Sequence, residues 1–175
     1  SNLSGDQAGA MGESWGDQTA VEYLNAYGYV PTSKGENPFA VGVYATGNKQ
    51  TAIRNYGMND SPLNYSNVGY DFVCNGLIVG QTVFTECPDR PEGQVHADGE
   101  IWSATGYEIR QAFVEKYNKE FPYNNRALQV RCADGNVDAS KCPGNRRWIQ
   151  IMFDSFLLQQ ADTSMLTARD AYLAA

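Results

Sequence analysis

The sequence predicts a mainly α-helical domain with one or two small β-hairpins. Four long segments repeat apolar residues at three- and four-residue spacings, as the buried face of a helix does, whereas the β-like runs are short. The chain has 175 residues, of which 42% are hydrophobic, a size and composition that allow a real core. Because no internal repeat and no linker divides it, residues 1–175 are expected to form a single domain.

The first helix is predicted over residues 7–27, with Gly28 as its stop. Two short β-like runs, 40–45 and 51–55, are separated by a turn-type sequence and predict a hairpin. Residues 57–71 are rich in Asn, Ser, Pro and Tyr and have no clear period, so an ordered loop is expected there.

The second half of the chain begins with a β-ribbon predicted over residues 72–84. A helical period returns over residues 95–117, a loop is expected over 134–142, and two further helices are expected over 146–160 and from Ser164 onward. Two apolar stripes of the 146–160 helix are expected to be core, the first formed by Trp148, Met152 and Phe156 and the second by Ile149, Phe153 and Leu157.

The charge balance excludes several classes of partner. Lys and Arg number 13 and Asp and Glu number 20, giving a net charge of −7. A nucleic-acid or anionic-membrane partner is therefore not expected, because no basic surplus is present to neutralise phosphates. No apolar run approaches the roughly 18–20 residues that span a bilayer. The single histidine, His96, excludes a metal site built from several imidazoles of this chain alone.

The chain has four cysteines, and no two of them form a C-x-x-C pair, which excludes zinc-ribbon and thioredoxin motifs. They are Cys74, Cys87, Cys132 and Cys142. Their spacing predicts two local disulfides, Cys74–Cys87 and Cys132–Cys142, each beside turn-rich sequence. Four cysteines allow three connectivities, and four buried thiols are the alternative. Disulfides would imply an exported protein.

Glu13 and Asp17 form the first candidate site, because residues four apart project from the same helical face. Two such carboxylates repel each other unless a cation or a hydrogen-bond donor lies opposite. Gly9, Gly12 and Gly16 in the same helix indicate close approach of another backbone. A solvated acidic face is the alternative interpretation.

His96 is the second candidate, at the start of the 95–117 helix. The dipole at a helix N-terminus disfavours the imidazolium form of a histidine. It is placed to donate a hydrogen bond to an oxyanion. A structural histidine that caps the turn is the alternative.

The segments AMGESWGD and VHADGEIW follow each other in this order along the chain, and together they resemble two motifs of the fungalysin family of secreted metalloendopeptidases, which are thermolysin-like zincins. AMGESWGD (residues 10–17) is similar to the family's second zinc-binding segment, and VHADGEIW (95–102) to its later histidine motif. The similarity continues through NPFAVG (37–42), IRNY (53–56) and ARDA (168–171) and covers most of the chain. The resemblance implies the helical C-terminal lobe of a thermolysin-like catalytic domain, secretion, zinc as cofactor, and protein or peptide substrates.

The resemblance also implies a role for each candidate residue. Glu13 would be the third zinc ligand, completing a His2Glu site that leaves a fourth position for water. Asp17 would accept a hydrogen bond from a ligating histidine and orient it. His96 would stabilise the oxyanion or donate a proton.

The chain departs from the family because the His-Glu-x-x-His helix, with two zinc ligands and the general base, is absent. We therefore expect a fragment of the catalytic domain truncated at both ends, inactive by itself and not retaining zinc, whose partner is the upstream part of the same polypeptide. Residues 75–92 have no clear counterpart in the family.

Two other functions stay open at this level. One is a non-catalytic extracellular binding module that kept the zincin-derived fold. The other is an acid/base hydrolase, such as a glycosidase, that pairs Glu13 with a second carboxylate.

Overall fold

The computed structural model describes residues 3–28, 35–69, 77–79, 82–84 and 95–175, and over these ranges the protein is mainly helical, as predicted. None of the helices in this part of the chain is long and apolar enough to cross a membrane. The helices are α1 (Asp6–Tyr27), α2 (Val43–Thr46), α3 (Val95–Tyr117), α4 (Arg126–Ala133), α5 (Gly144–Phe156) and α6 (Met165–Ala174), and the strands are β1 (Leu77–Val79) and β2 (Thr82–Phe84).

Helices α1 and α3 form the largest helix–helix contact and carry both candidate motifs. Glycine makes their close approach possible, because a Cβ at Gly99 would lie 2.8 Å from the carbonyl oxygen of Ala10. The hydroxyls of Ser14 and Ser103 then meet across the contact at 2.9 Å. Helix α1 ends where predicted, at Gly28, whose φ of 90° lies in the left-handed region that glycine favours.

The core consists of two neighbouring apolar clusters. The first contains Ala10, Met11, Ile101, Trp102, Met165 and Ala168, and the second Trp148, Ile149 and Met152. Trp15 and Tyr172 pack against both clusters and join them, with the Trp15 indole N–H donating to the Tyr172 hydroxyl at 3.0 Å.

The second apolar stripe predicted for α5 belongs to the core only at Ile149. Trp148 and Met152 of the first stripe are buried, but Phe153 of the second is exposed and Leu157 is 87% exposed. Helix α5 ends at Phe156, so Leu157 lies beyond the end of the helix.

The hairpin predicted over residues 40–55 is also wrong. The only pairing in this segment is an isolated parallel bridge between Val41 and Ala52, and residues Val43–Thr46 form the one-turn helix α2. Gly42 and Gly47 flank that turn with φ values of 83° and 69°. Left-handed backbone at both ends turns the chain away from the extended conformation that a strand requires.

The second predicted hairpin is present. Strands β1 and β2 pair antiparallel, with Ile78 opposite Val83. The ordered loop expected after Gly57 contains a short 3-10 turn, Tyr65–Asn67, which the Asn64 side chain caps by accepting from the Ser66 N–H.

The spacing of apolar residues did not predict helix α4, because the apolar face of this helix is short. Its local signal is Asn125, whose side chain accepts from the Leu128 N–H as an N-cap. The predicted disulfide Cys132–Cys142 is confirmed and joins the end of α4 to the residues just before α5. Cys74 and Cys87 lie outside the described residues.

A buried ionic network closes the end of the α1–α3 contact farthest from His96. Glu22 on α1 pairs with the Arg110 guanidinium on α3 and lies 3.9 Å from Nη1 of Arg146. The Asn145 amide donates to Glu22 at 3.1 Å and also exchanges hydrogen bonds with Gln129. This network ties α4 and α5 to the central helix pair.

Candidate active site

The two sequence-predicted candidates, Glu13 and His96, lie side by side at the other end of the α1–α3 contact. Nε2 of His96 is 3.4 Å from Oε2 of Glu13, and the two side chains are 53% and 39% exposed. Their helices are distant in sequence, so this pairing depends on the close approach that Gly99 permits. A carboxylate and an imidazole therefore face the same solvent-accessible surface.

Arg54 completes this group from the loop that precedes Tyr56. Its guanidinium donates to both carboxylate oxygens of Asp17, at 2.7 and 3.0 Å, and to Oε2 of Glu13 at 3.3 Å. The sequence argument did not assign Arg54 a role. Its signal was the repulsion between two carboxylates one helical turn apart, which requires a cation opposite them.

Burial sets the electrostatics of this group. Asp17 is buried, and burial raises the pKa of its carboxyl even though Arg54 favours the anion. Burial also disfavours the Arg54 cation, but hydrogen bonding to Asp17 keeps the pKa of Arg54 above its ordinary value. Asp17 therefore binds the Arg54 guanidinium in the interior, whereas Glu13 accepts a hydrogen bond from the same guanidinium at the protein surface.

Glu100 holds the loop that carries Arg54. Its Oε1 accepts from the backbone N–H of Asn55 at 2.9 Å and from that residue's side-chain amide at 3.1 Å, while Oε2 accepts from the Tyr56 N–H at 3.2 Å. Burial raises the pKa of Glu100 to about 7, against the lowering effect of these hydrogen bonds. The sequence argument did not single out this residue.

A second buried carboxylate of α3, Asp98, holds a different segment. Both of its oxygens lie within 3.2 Å of the backbone N–H of Gly69. Burial raises the pKa of Asp98 as well. The first two turns of α3 thus anchor two loops while presenting His96 to Glu13.

These residues fit part of a metal site. Among the residues that the structure describes, no group of three or more His, Cys, Asp or Glu side chains is arranged to hold a metal ion. Glu13 has the right chemistry for one zinc ligand, because its carboxylate is accessible to solvent and a neighbouring donor already contacts one of its oxygens. A His2Glu set would require two further imidazoles, whereas the chain has one histidine.

Comparison with known proteins identifies the family of this chain. The family model of the fungalysin metallopeptidases matches residues 1–175. The chain is similar to an extracellular metalloproteinase of Aspergillus niger (26% identical over 175 residues) and to one of Neosartorya fischeri (27% over 175 residues). A third relative, from Leptosphaeria maculans, is 24% identical over 177 residues.

Each alignment covers 98% of this chain and 22% of the relative, so the chain spans about a fifth of the length of the curated relatives it matches. No solved structure matches it.

Proposed function

This chain belongs to the fungalysin metallopeptidase family, and we propose on that basis that it is the C-terminal part of the catalytic domain of a secreted zinc endopeptidase. Its activity would be the hydrolysis of peptide bonds in protein or peptide substrates. The relatives' designation as extracellular metalloproteinases supports secretion and protease activity. The observation that carries the proposal is the contact of His96 with Glu13, with Arg54 on the same carboxylate oxygen.

Glu13 would supply one zinc ligand. The Arg54 guanidinium restrains its Oε2, so the carboxylate is held in one orientation before a metal arrives. Bound zinc in such a site supplies Lewis-acid polarisation of the scissile carbonyl and a nucleophile at neutral pH. Of the three protein ligands in a His2Glu site, this chain would supply only the carboxylate.

His96 would donate a hydrogen bond to the oxyanion that forms when the carbonyl is attacked. Its position supports this role, because the imidazole is half exposed and lies next to the carboxylate that would ligate the metal. A donor placed where negative charge develops is among the largest contributions that an enzyme makes to a transition state.

Asp17 would orient one of the missing histidine ligands. Both of its oxygens already accept from Arg54, but a carboxylate oxygen can accept a second hydrogen bond. The same carboxylate can therefore anchor Arg54 and align an imidazole from the upstream part of the polypeptide. That part would provide the two histidines and the general base of a His-Glu-x-x-His helix, so the present chain by itself is expected neither to retain zinc nor to hydrolyse peptides.

The test compares two substitutions in the full-length protein. We expect Glu13→Gln to abolish zinc retention, because a neutral amide is a poor zinc ligand. We expect His96→Ala to retain zinc and to lower kcat by about 10²-fold, the effect of removing one oxyanion donor. Zinc content by elemental analysis and hydrolysis of a peptide substrate measure the two properties.

The matched control is Glu115→Gln, which neutralises an exposed carboxylate on α3 and should change neither property. Stoichiometric zinc in the Glu13→Gln variant would contradict the ligand assignment. A full-length wild-type protein that binds no zinc and hydrolyses no peptide would instead favour the extracellular binding module.

A further inference from the structure

The loop that carries Arg54 is linked to the segment before it on both sides of the arginine, and on the far side the Met58 N–H donates to the Phe39 carbonyl at 3.2 Å. Its backbone is linked to the preceding segment by the Ile53 N–H, which donates to the Val41 carbonyl at 3.1 Å, and Ala52 adopts a φ of 56°. A positive φ is uncommon for a residue with a Cβ, so surrounding contacts must hold this turn. Besides the pairing of Arg54 with Asp17, one such contact lies just after Arg54, at the amides of Asn55 and Tyr56.

We propose that Glu100 is a positioning residue: it binds the two successive backbone amides after Arg54 and thereby sets the guanidinium against Glu13. Each carboxylate oxygen of Glu100 receives one of these amides, at 2.9 and 3.2 Å, and the Asn55 side chain adds a third bond. Glu100 is only 6% exposed, so water does not readily replace the amides if the carboxylate is removed. The consequence for metal binding rests on the function proposed above.

The position of Glu100 in α3 gives this contact its significance. His96 and Glu100 are four residues apart, so both project from the same face of the helix. His96 reaches Glu13 directly, whereas Glu100 reaches it through Arg54. One helix face therefore sets both groups that contact the proposed zinc ligand, His96 directly and Arg54 through the loop that Glu100 holds.

The test uses Glu100→Gln in the full-length protein, with Asp98→Asn as the matched control. Glutamine preserves size and an acceptor for one amide but places an NH2 group against the other N–H. Asp98 is a buried carboxylate of the same helix that holds Gly69 instead, so its loss should disturb a different loop.

In the zinc-free protein, we expect Glu100→Gln to accelerate hydrogen exchange at the Asn55 and Tyr56 amides by tenfold or more and to remove the protected Nε–H resonance of Arg54. In zinc competition with a chelating dye, we expect its affinity for zinc to fall by about tenfold, the effect typical of losing a partner that orients a ligand. Asp98→Asn should leave all three properties unchanged.

The comparison of the two variants tests whether Glu100 positions Arg54 or only stabilises the domain. Equal effects of Glu100→Gln and Asp98→Asn would mean that Glu100 only stabilises the domain, and an unchanged Arg54 resonance would overturn the positioning role. If the wild-type protein binds no zinc, the proposed function fails. The positioning role of Glu100 is then tested by amide hydrogen exchange and by the Arg54 resonance alone. If Glu100→Gln does not fold, Asn55→Ala is the substitute variant, because it removes one of the three hydrogen bonds to Glu100. We expect it to accelerate hydrogen exchange at the Tyr56 amide by a few fold. No acceleration would overturn the inference.

Discussion

At each end of the α1–α3 contact a glutamate of α1 pairs with an arginine, but the two glutamates differ in their exposure to solvent. At the closed end, Glu22 is 2% exposed and is surrounded by Arg110, Arg146 and Asn145. At the open end, Glu13 contacts Arg54 yet remains 39% exposed. A carboxylate that is already fully surrounded can only support the fold, whereas one at the solvent boundary is available to a ligand.

The largest expected effect is the difference in stability between these two glutamates. Glu22→Gln leaves the buried Arg110 and the partly buried Arg146 without their counter-charge and should lower the free energy of unfolding by about 3–5 kcal/mol. Glu13→Gln should cost less than about 1 kcal/mol, because exposed ion pairs contribute little. Urea unfolding of the purified chain measures both. Similar losses for the two variants would contradict the distinction between the ends.

The next effect is a pH dependence that originates at the open end. The pKa of Glu100 is about 7 in the folded protein and 4.5 in the unfolded chain, so its contribution to stability is complete below pH 4.5 and is lost as pH rises through 7. Burial is the main cause of the raised pKa of Glu100, and the charge of Arg54 acts in the opposite direction and lowers it. We expect stability to fall between pH 5 and pH 8, with Glu100 accounting for at most about 3 kcal/mol.

The measurement is urea unfolding at pH 5 and pH 8 for the wild type and Glu100→Gln. Burial also raises the pKa values of Asp17 and Asp98, so part of the dependence should persist in the variant. A variant with the same pH dependence as the wild type would show that Glu100 is not its main source.

The smallest effects come from two glycines near the open end. A Cβ at Gly99 would lie 2.8 Å from the Ala10 carbonyl and 3.4 Å from Cβ of Glu13, so Gly99→Ala should separate the helices and cost about 1–2 kcal/mol. A Cβ at Gly16 would meet no atom within 4 Å, so Gly16→Ala should gain up to about 1 kcal/mol of helix propensity. Thermal unfolding distinguishes them, and a shift of the same sign in both variants would argue against the close approach at Gly99.

The glycines also show how far the sequence argument reached. Gly9, Gly12 and Gly16 together predicted a close partner for α1. In the structure a Cβ at Gly9 would lie 3.2 Å from the Val95 side chain, as expected for a helix contact, but Gly16 has no such neighbour. Two glycines at which α1 approaches most closely, Gly99 and Gly106, are on the partner helix. Composition indicates that two backbones approach each other, but only packing shows which residues meet.

Local chemistry determined most of the helical framework. The bounds of α1 and α3, the stop at Gly28 and the Cys132–Cys142 disulfide followed from apolar period, a left-handed glycine and short spacing, which depend on neighbours along the chain. The family resemblance was likewise a property of contiguous motifs and is confirmed.

Tertiary structure alone decided the rest of the candidate site. Arg54 lies in a segment whose alternation predicted a strand, yet it forms a turn that the Glu100 carboxylate holds from α3. No local pattern encodes that a buried acid will bind two amides of a distant loop, since the free energy of the contact exists only after the helix and the loop are packed together. The sequence identified Glu13 and His96 as candidates, and the packing of α1 on α3 brought them within 3.4 Å of each other.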